Sequence, residues 1–151
     1  MIKLAILDDY QNVALQMADW SVLNDDVEII IFDDHAVEID RVAERLQGCE
    51  IVCIMRERTP FPRALIEKLP DLKLLVPSGM RNAAVDLAAA RDCGITVSGT
   101  EGSSHATAEL AWGLILALLR HIPLEHQSMR EGGWQETLGH DLRGKTLGLL
   151  G

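Results

Sequence analysis

Two short segments, Arg56-Glu57-Arg58-Thr59-Pro60 and Pro77-Ser78-Gly79-Met80-Arg81-Asn82, each bring guanidinium groups to the end of an apolar run. A guanidinium forks onto a carboxylate through two parallel N–H···O bonds, so two such loops at one sheet edge would make a site for a small carboxylate-bearing molecule. The other reading, that Arg56 and Arg58 pair with Glu57, Glu101 or solvent, fits their types equally well and stays open at this point. Charge raises the stakes, because 14 Lys and Arg stand against 23 Asp and Glu, a formal net charge of −9. Long-range electrostatics then repel nucleic acid and anionic membranes, and any anionic ligand has to be held by a local basic cluster.

A second chemical signal is Gly-Lys-Thr-Leu-Gly-Leu-Leu-Gly at residues 144 to 151. It reads as a buried strand entering the first glycine, Gly151, of a dinucleotide-binding turn, or else as an ordinary strand end. Such a turn needs two further glycines and a helix N-terminus to hold the pyrophosphate. With only its first glycine in these residues, the 151-residue chain is expected to bind no dinucleotide tightly.

Other reactive side chains point elsewhere. Cys49, Cys53 and Cys93 match no zinc or CxxC spacing, and the first two lie in or beside an apolar strand, as buried inert thiols do. His121 and His126 are not at i, i+4 ligand spacing and no carboxylate cluster supports a metal, so none is expected. Ser103 and Ser104 precede a long apolar run and are natural helix N-caps. Asp8-Asp9 ends the first strand like the acidic pair of a phosphoacceptor receiver domain, but the aspartate and lysine that chemistry needs after the third and fifth strands are replaced by Met55-Arg56 and Ser98-Gly99.

The elements that must position these groups alternate. Strands are expected at Lys3 to Leu7, Val27 to Phe32, Ile51 to Met55, Leu72 to Val76 and Ile95 to Ser98. Helices are expected at Val13 to Trp20, Ile39 to Leu46, Arg63 to Leu69 and Asp86 to Cys93, the last ended by Gly94. A β-α repeat predicts a parallel sheet with helices on both faces, in which ligands sit beyond the strands' carboxyl ends. From Ala106 to Leu119 the pattern becomes one long helix, apolar nearly all round, which has to be covered by another domain or subunit. Pro123 is expected to break it before a more polar helix, Leu124 to Glu131, and a loop, Trp134 to Arg143. At 48% hydrophobic and 25% charged residues, with no apolar run of membrane-span length and no signal-peptide pattern, the chain reads as a globular cytoplasmic protein.

Gly-Met-Arg-Asn-Ala-Ala-Val-Asp (79 to 86), Cys-Gly-Ile-Thr-Val (93 to 97), Ala-Thr-Ala-Glu-Leu-Ala-Trp-Gly (106 to 113), Met-Arg-Glu-Gly-Gly-Trp (129 to 134) and Leu-Arg-Gly-Lys-Thr-Leu-Gly-Leu-Leu-Gly (142 to 151) occur in that order. In order and spacing they resemble the D-isomer-specific 2-hydroxyacid dehydrogenases, specifically from about residue 56 onward. The resemblance implies a flavodoxin-like substrate domain over 1–102, a crossover helix and dimer arm over 103–143, and the first strand of a Rossmann domain over 144–151. It implies interconversion of a 2-hydroxy acid and a 2-oxo acid with NAD or NADP, and a homodimer formed through 103–143. It also implies that Arg56 and the backbone of Met80 and Arg81 hold the substrate carboxylate, and that Ser103 matches an asparagine near the cleft.

The family's catalytic arginine, glutamate and histidine would lie beyond Gly151, which leaves His35, His105, His121, His126 and His140 without that role. The chain departs from the family pattern at Arg81, where many members have a small residue, and at Ala83, where many have an acid. Those departures imply a larger or more anionic substrate, with Asn82 tolerating the loop's left-handed backbone angles. As a rival to an enzyme fragment, the chain is a non-catalytic dimerisation or ligand-binding module.

Overall fold

The computed structural model describes residues 1–103 and 105–150. Ser104, expected as a cap, and Gly151, expected as a cofactor contact, lie outside the described residues. The chain divides into two compact units, Met1–Gly102 and Ser103–Gly151.

The first unit is built on five parallel strands, β1 (Ile2–Ile6), β2 (Val27–Ile31), β3 (Ile51–Ile54), β4 (Leu74–Pro77) and β5 (Thr96–Val97), in the order β2-β1-β3-β4-β5. Register follows from pairs such as Leu4 with Ile51, Ile51 with Leu74, and Leu74 with Thr96. Strand alternation sends Ala5, Val52, Ile54 and Leu75 to one face, where they meet α1 (Ile39–Arg45), α2 (Arg63–Ile66) and α3 (Leu87–Asp92) through Val42, Leu46, Leu65, Ile66 and Ala89. Phe61, fully buried, fills the centre of this layer, and its loss would cost about 3–5 kcal/mol in cavity and transfer terms. Asp86 caps α3 by accepting from the Ala89 amide at 2.8 Å, and Gly94 ends that helix at φ +72°.

The other face, with Leu4 and Ile6, is covered by short 3₁₀ helices at Ala14–Gln16 and Trp20–Asp26. They replace the single helix expected over Val13 to Trp20. Asp9 takes the Val13 and Ala14 amides on its carboxylate at 3.1 and 2.9 Å, and Asp19 takes the Ser21 amide at 3.1 Å. Two side-chain acceptors so close together start two separate short turns instead of one continuous helix.

The second unit holds α4 (His105–Leu119) and α5 (Ile122–Arg130). The break between them is at His121, which takes a left-handed conformation at φ 53°, and not at Pro123, which sits in the first turn of α5. Proline has no amide hydrogen to lose there, so it starts this helix and does not end the previous one. Glu125 anchors the following loop: its carboxylate accepts from Thr137 N and Oγ1 at 2.7 and 2.6 Å. The hydroxyl bond holds the Glu125 carboxyl below the usual range. The strand expected over 144–151 forms no ladder among the described residues, and Leu147, Leu149 and Leu150 are exposed. A strand needs a neighbouring strand for its amides and carbonyls, and among the described residues none pairs with this segment.

Candidate functional site

All five strands run the same way, so the loops after β1, β3, β4 and β5 share one edge of the sheet. The loop after β3 opens at Arg56, a non-glycine residue held at φ 53°, a left-handed conformation that costs roughly 1–3 kcal/mol. What holds it is the loop after β4. The Arg56 amide donates to Ser78 Oγ at 2.9 Å, and Asn82 Nδ2 donates to the Arg56 carbonyl at 2.5 Å. Asn82 also accepts from the Ala84 amide at 2.9 Å, closing an Asx turn.

The loop after β5 completes the clamp. Thr100 Oγ1 accepts from the Gly79 amide at 2.9 Å and donates to the Pro77 carbonyl at 3.3 Å, while the Thr100 amide donates to the Gly79 carbonyl at 3.2 Å. Gly79 stands at φ 109°, where an L side chain is strained, and the Arg56 guanidinium lies 3.5 Å from the point a Gly79 Cβ would occupy. Gly99 is needed for a different reason. A Cβ there would meet the Gly79 carbonyl oxygen and Met80 Cα at 2.9 Å each.

The clamp leaves the tip of the loop uncommitted. Among the described residues nothing accepts from the amides of Met80 or Arg81. Both residues are exposed and line a cavity of about 500 Å³ with Pro77, Asn82, Val97 and Gly99. Two free N–H donors beside a guanidinium suit an anion of carboxylate size.

Of the residues singled out from sequence, Arg56, Met80, Arg81 and Asn82 are thus brought together. Arg56 is exposed and leans weakly on Glu57 at 4.0 Å, so part of the surface-pairing reading holds as well. Arg58 is turned away: it donates to the Asp8 carbonyl at 2.8 Å and lies 4.6 Å over the Tyr10 ring. Ser103 accepts from the amide of His105, the first residue of α4, at 3.3 Å.

Sequence reasoning missed Thr100 and the cluster around Asp8. Asp8, 1% exposed and at φ 60°, bonds His35 Nδ1 at 2.8 Å and accepts from Thr59 Oγ1 at 2.7 Å. The only signal in the sequence was Asp8-Asp9 at a strand end, where Asp8 is buried and bonded within the chain. Burial, followed by the charge of Asp8, raises the Tyr10 phenol. Burial likewise raises the Cys49 and Cys53 thiols, as inert cysteines require.

The profile of the D-isomer specific 2-hydroxyacid dehydrogenase catalytic domain matches residues 5–143. The chain belongs to this family. Hydroxypyruvate reductase from Thermotoga maritima is 35% identical over 125 residues, covering 76% of this chain and 41% of that protein. D-3-phosphoglycerate dehydrogenase from Homo sapiens is 37% identical over 115 residues, covering 74% of this chain and 21% of that one. The crystal structure of phosphoglycerate oxidoreductase from Vibrio cholerae superposes with a TM-score of 0.84 at 37% identity, covering 97% of this chain and 47% of that chain. The chain therefore spans less than half the length of each of these relatives. As a 2-hydroxyacid dehydrogenase domain it has the five-stranded parallel sheet of those structures, with the clamped loop at its carboxyl edge.

Proposed function

We propose that these residues are the substrate side of an NAD- or NADP-dependent D-2-hydroxyacid dehydrogenase, which interconverts a 2-hydroxy acid and a 2-oxo acid. The observation that carries this reading is the pair of free Met80 and Arg81 amides on a loop tied at Gly79 by Thr100 and at Asn82 by Arg56. In it the two amides receive the substrate carboxylate, Arg56 supplies a neighbouring positive charge, and Asn82 fixes the loop. Arg58 supports the same edge from behind, through Asp8, and Ser103 starts the crossover helix. Residues 1–102 form the substrate domain, 103–143 the crossover helix and dimer arm, and 144–151 the entry to the nucleotide domain.

Among the described residues nothing forms a three-glycine turn feeding a helix N-terminus, so they do not fit a dinucleotide and no hydride step is assigned to them. The 151-residue chain is accordingly proposed to bind the acid without reducing it. A homodimer through α4 and α5 belongs to the same proposal, supported by the exposure of Leu110, Leu114 and Leu118 along α4. A cytoplasmic location does too, supported by three cysteines that are all free. No single helix among the described residues is long and apolar enough to cross a membrane.

Saturation transfer from the protein to the methyl protons of pyruvate tests the reading. Transfer in the native chain that disappears in Gly99→Ala is the expected result. No transfer, or transfer untouched by that substitution, would count against a site at this loop.

A further inference from the structure

The Arg81 side chain has no counterpart in the carboxylate-binding scheme, which uses only the backbone at that position. Three other arginines of the first unit are committed: Arg45 to Asp34, Arg63 to Asp92 and Glu67, Arg58 to the Asp8 carbonyl and the Tyr10 ring. Among the described residues no carboxylate pairs with Arg81, although the chain as a whole is strongly acidic. The cavity it lines contains no Asp or Glu; the rest of its wall is Pro77, Asn82 and small or apolar side chains. A guanidinium with free donors, in a cavity with no competing acid, is suited to donate to an anion.

We infer that Arg81 selects 2-oxo and 2-hydroxy acids carrying a second anionic group, carboxylate or phosphate, within one arginine side-chain length of the first carboxylate. This rests on the reading that the Met80 and Arg81 amides hold that first carboxylate. The two amides and the Arg81 guanidinium then grip opposite ends of one molecule from two adjacent residues, with Asn82 and Gly79 holding the loop on either side. The apolar wall from Val97 and Met80 leaves room for the short carbon chain connecting the two anions. Lysine at this position would supply charge without the fork, and methionine would supply length without charge.

The test is titration of the 151-residue chain with pyruvate, 2-oxoglutarate and 3-phosphohydroxypyruvate, followed through backbone amide shifts. One or both dianions should bind about ten- to a hundredfold tighter than pyruvate, the worth of one charge-assisted bond, and which of them does identifies the second group. In Arg81→Met the ratio of dianion to pyruvate affinity should fall to about one, and Arg81→Lys should restore part of it. A native ratio near one, or a ratio unchanged in Arg81→Met, would overturn the inference. If the Met80 and Arg81 amides still shift in that case, the carboxylate reading survives; if no acid shifts them, both fail.

Discussion

Two polar clusters share one edge of the sheet, and they differ in what they have left to give. Beyond β1, Asp8 is buried with its carboxylate oxygens bonded to His35 and Thr59 and its carbonyl to Arg58, so its acceptors all face other groups of the same chain. Beyond β4, the bonds go to the flanks of the loop, through Ser78, Thr100 and Asn82, while the tip keeps two amides and a guanidinium unengaged. A cluster whose acceptors are filled stabilises a fold; a tied loop with spare donors is where binding is proposed. Buried polar groups alone therefore do not mark a site, and residual hydrogen-bonding capacity on a rigid frame does.

The sharpest way to break this contrast is Asp8→Ala. Leaving His35 and Thr59 without their buried partner should cost about 3 kcal/mol, read as a lower midpoint in urea unfolding. A loss below about 0.5 kcal/mol would mean the cluster is not the structural knot its burial implies. Gly99→Ala comes next. Its new Cβ meets backbone that cannot yield, and roughly 1–3 kcal/mol of strain should appear together with loss of pyruvate contact at the loop.

Asn82→Ala should have a smaller effect, about 1 kcal/mol, since it removes the bonds to the Arg56 carbonyl and the Ala84 amide. Because Asn82 holds the proposed binding loop and not the core, pyruvate affinity should fall severalfold while the unfolding midpoint moves little. The smallest effect belongs to Tyr10, the single tyrosine of the chain and hence a clean absorbance probe. Its folded-state pKa is raised by burial and then by Asp8, so the neutral phenol is favoured in the folded state. The stability this contributes is fully present below the ordinary tyrosine value of about 10 and is lost as pH rises through the folded value. Asp8→Asn should move the titration back toward the ordinary value, and no movement would show that the charge of Asp8 does not reach the ring.

Much of the first unit was legible because its signals are local. The five apolar runs became strands within one or two residues, and Asp86 and Gly94 bounded α3 where their types placed them. The candidate loops were legible from Arg56 and from Gly79 to Asn82 at strand ends. What escaped depended on partners far apart in sequence. His35 and Thr59 reach Asp8 from 27 and 51 residues away, and Thr100 reaches Gly79 from 21. Arg58 is two residues from Arg56 in the chain yet turns toward Tyr10, a direction set by the bend at Arg56 that no spacing rule contains. The apolar run at 144–150 reads as a strand by type, but strand formation is a property of a pair.

The most direct test of the central claim is a map of backbone amide shifts in the native chain on titration with pyruvate. The account predicts that Met80 and Arg81 move most, with Gly79 and Thr100 following and Asp8, His35 and Thr59 unmoved. Shifts centred on the Asp8 cluster, or none at the Gly79 to Asn82 loop at saturating pyruvate, would contradict it.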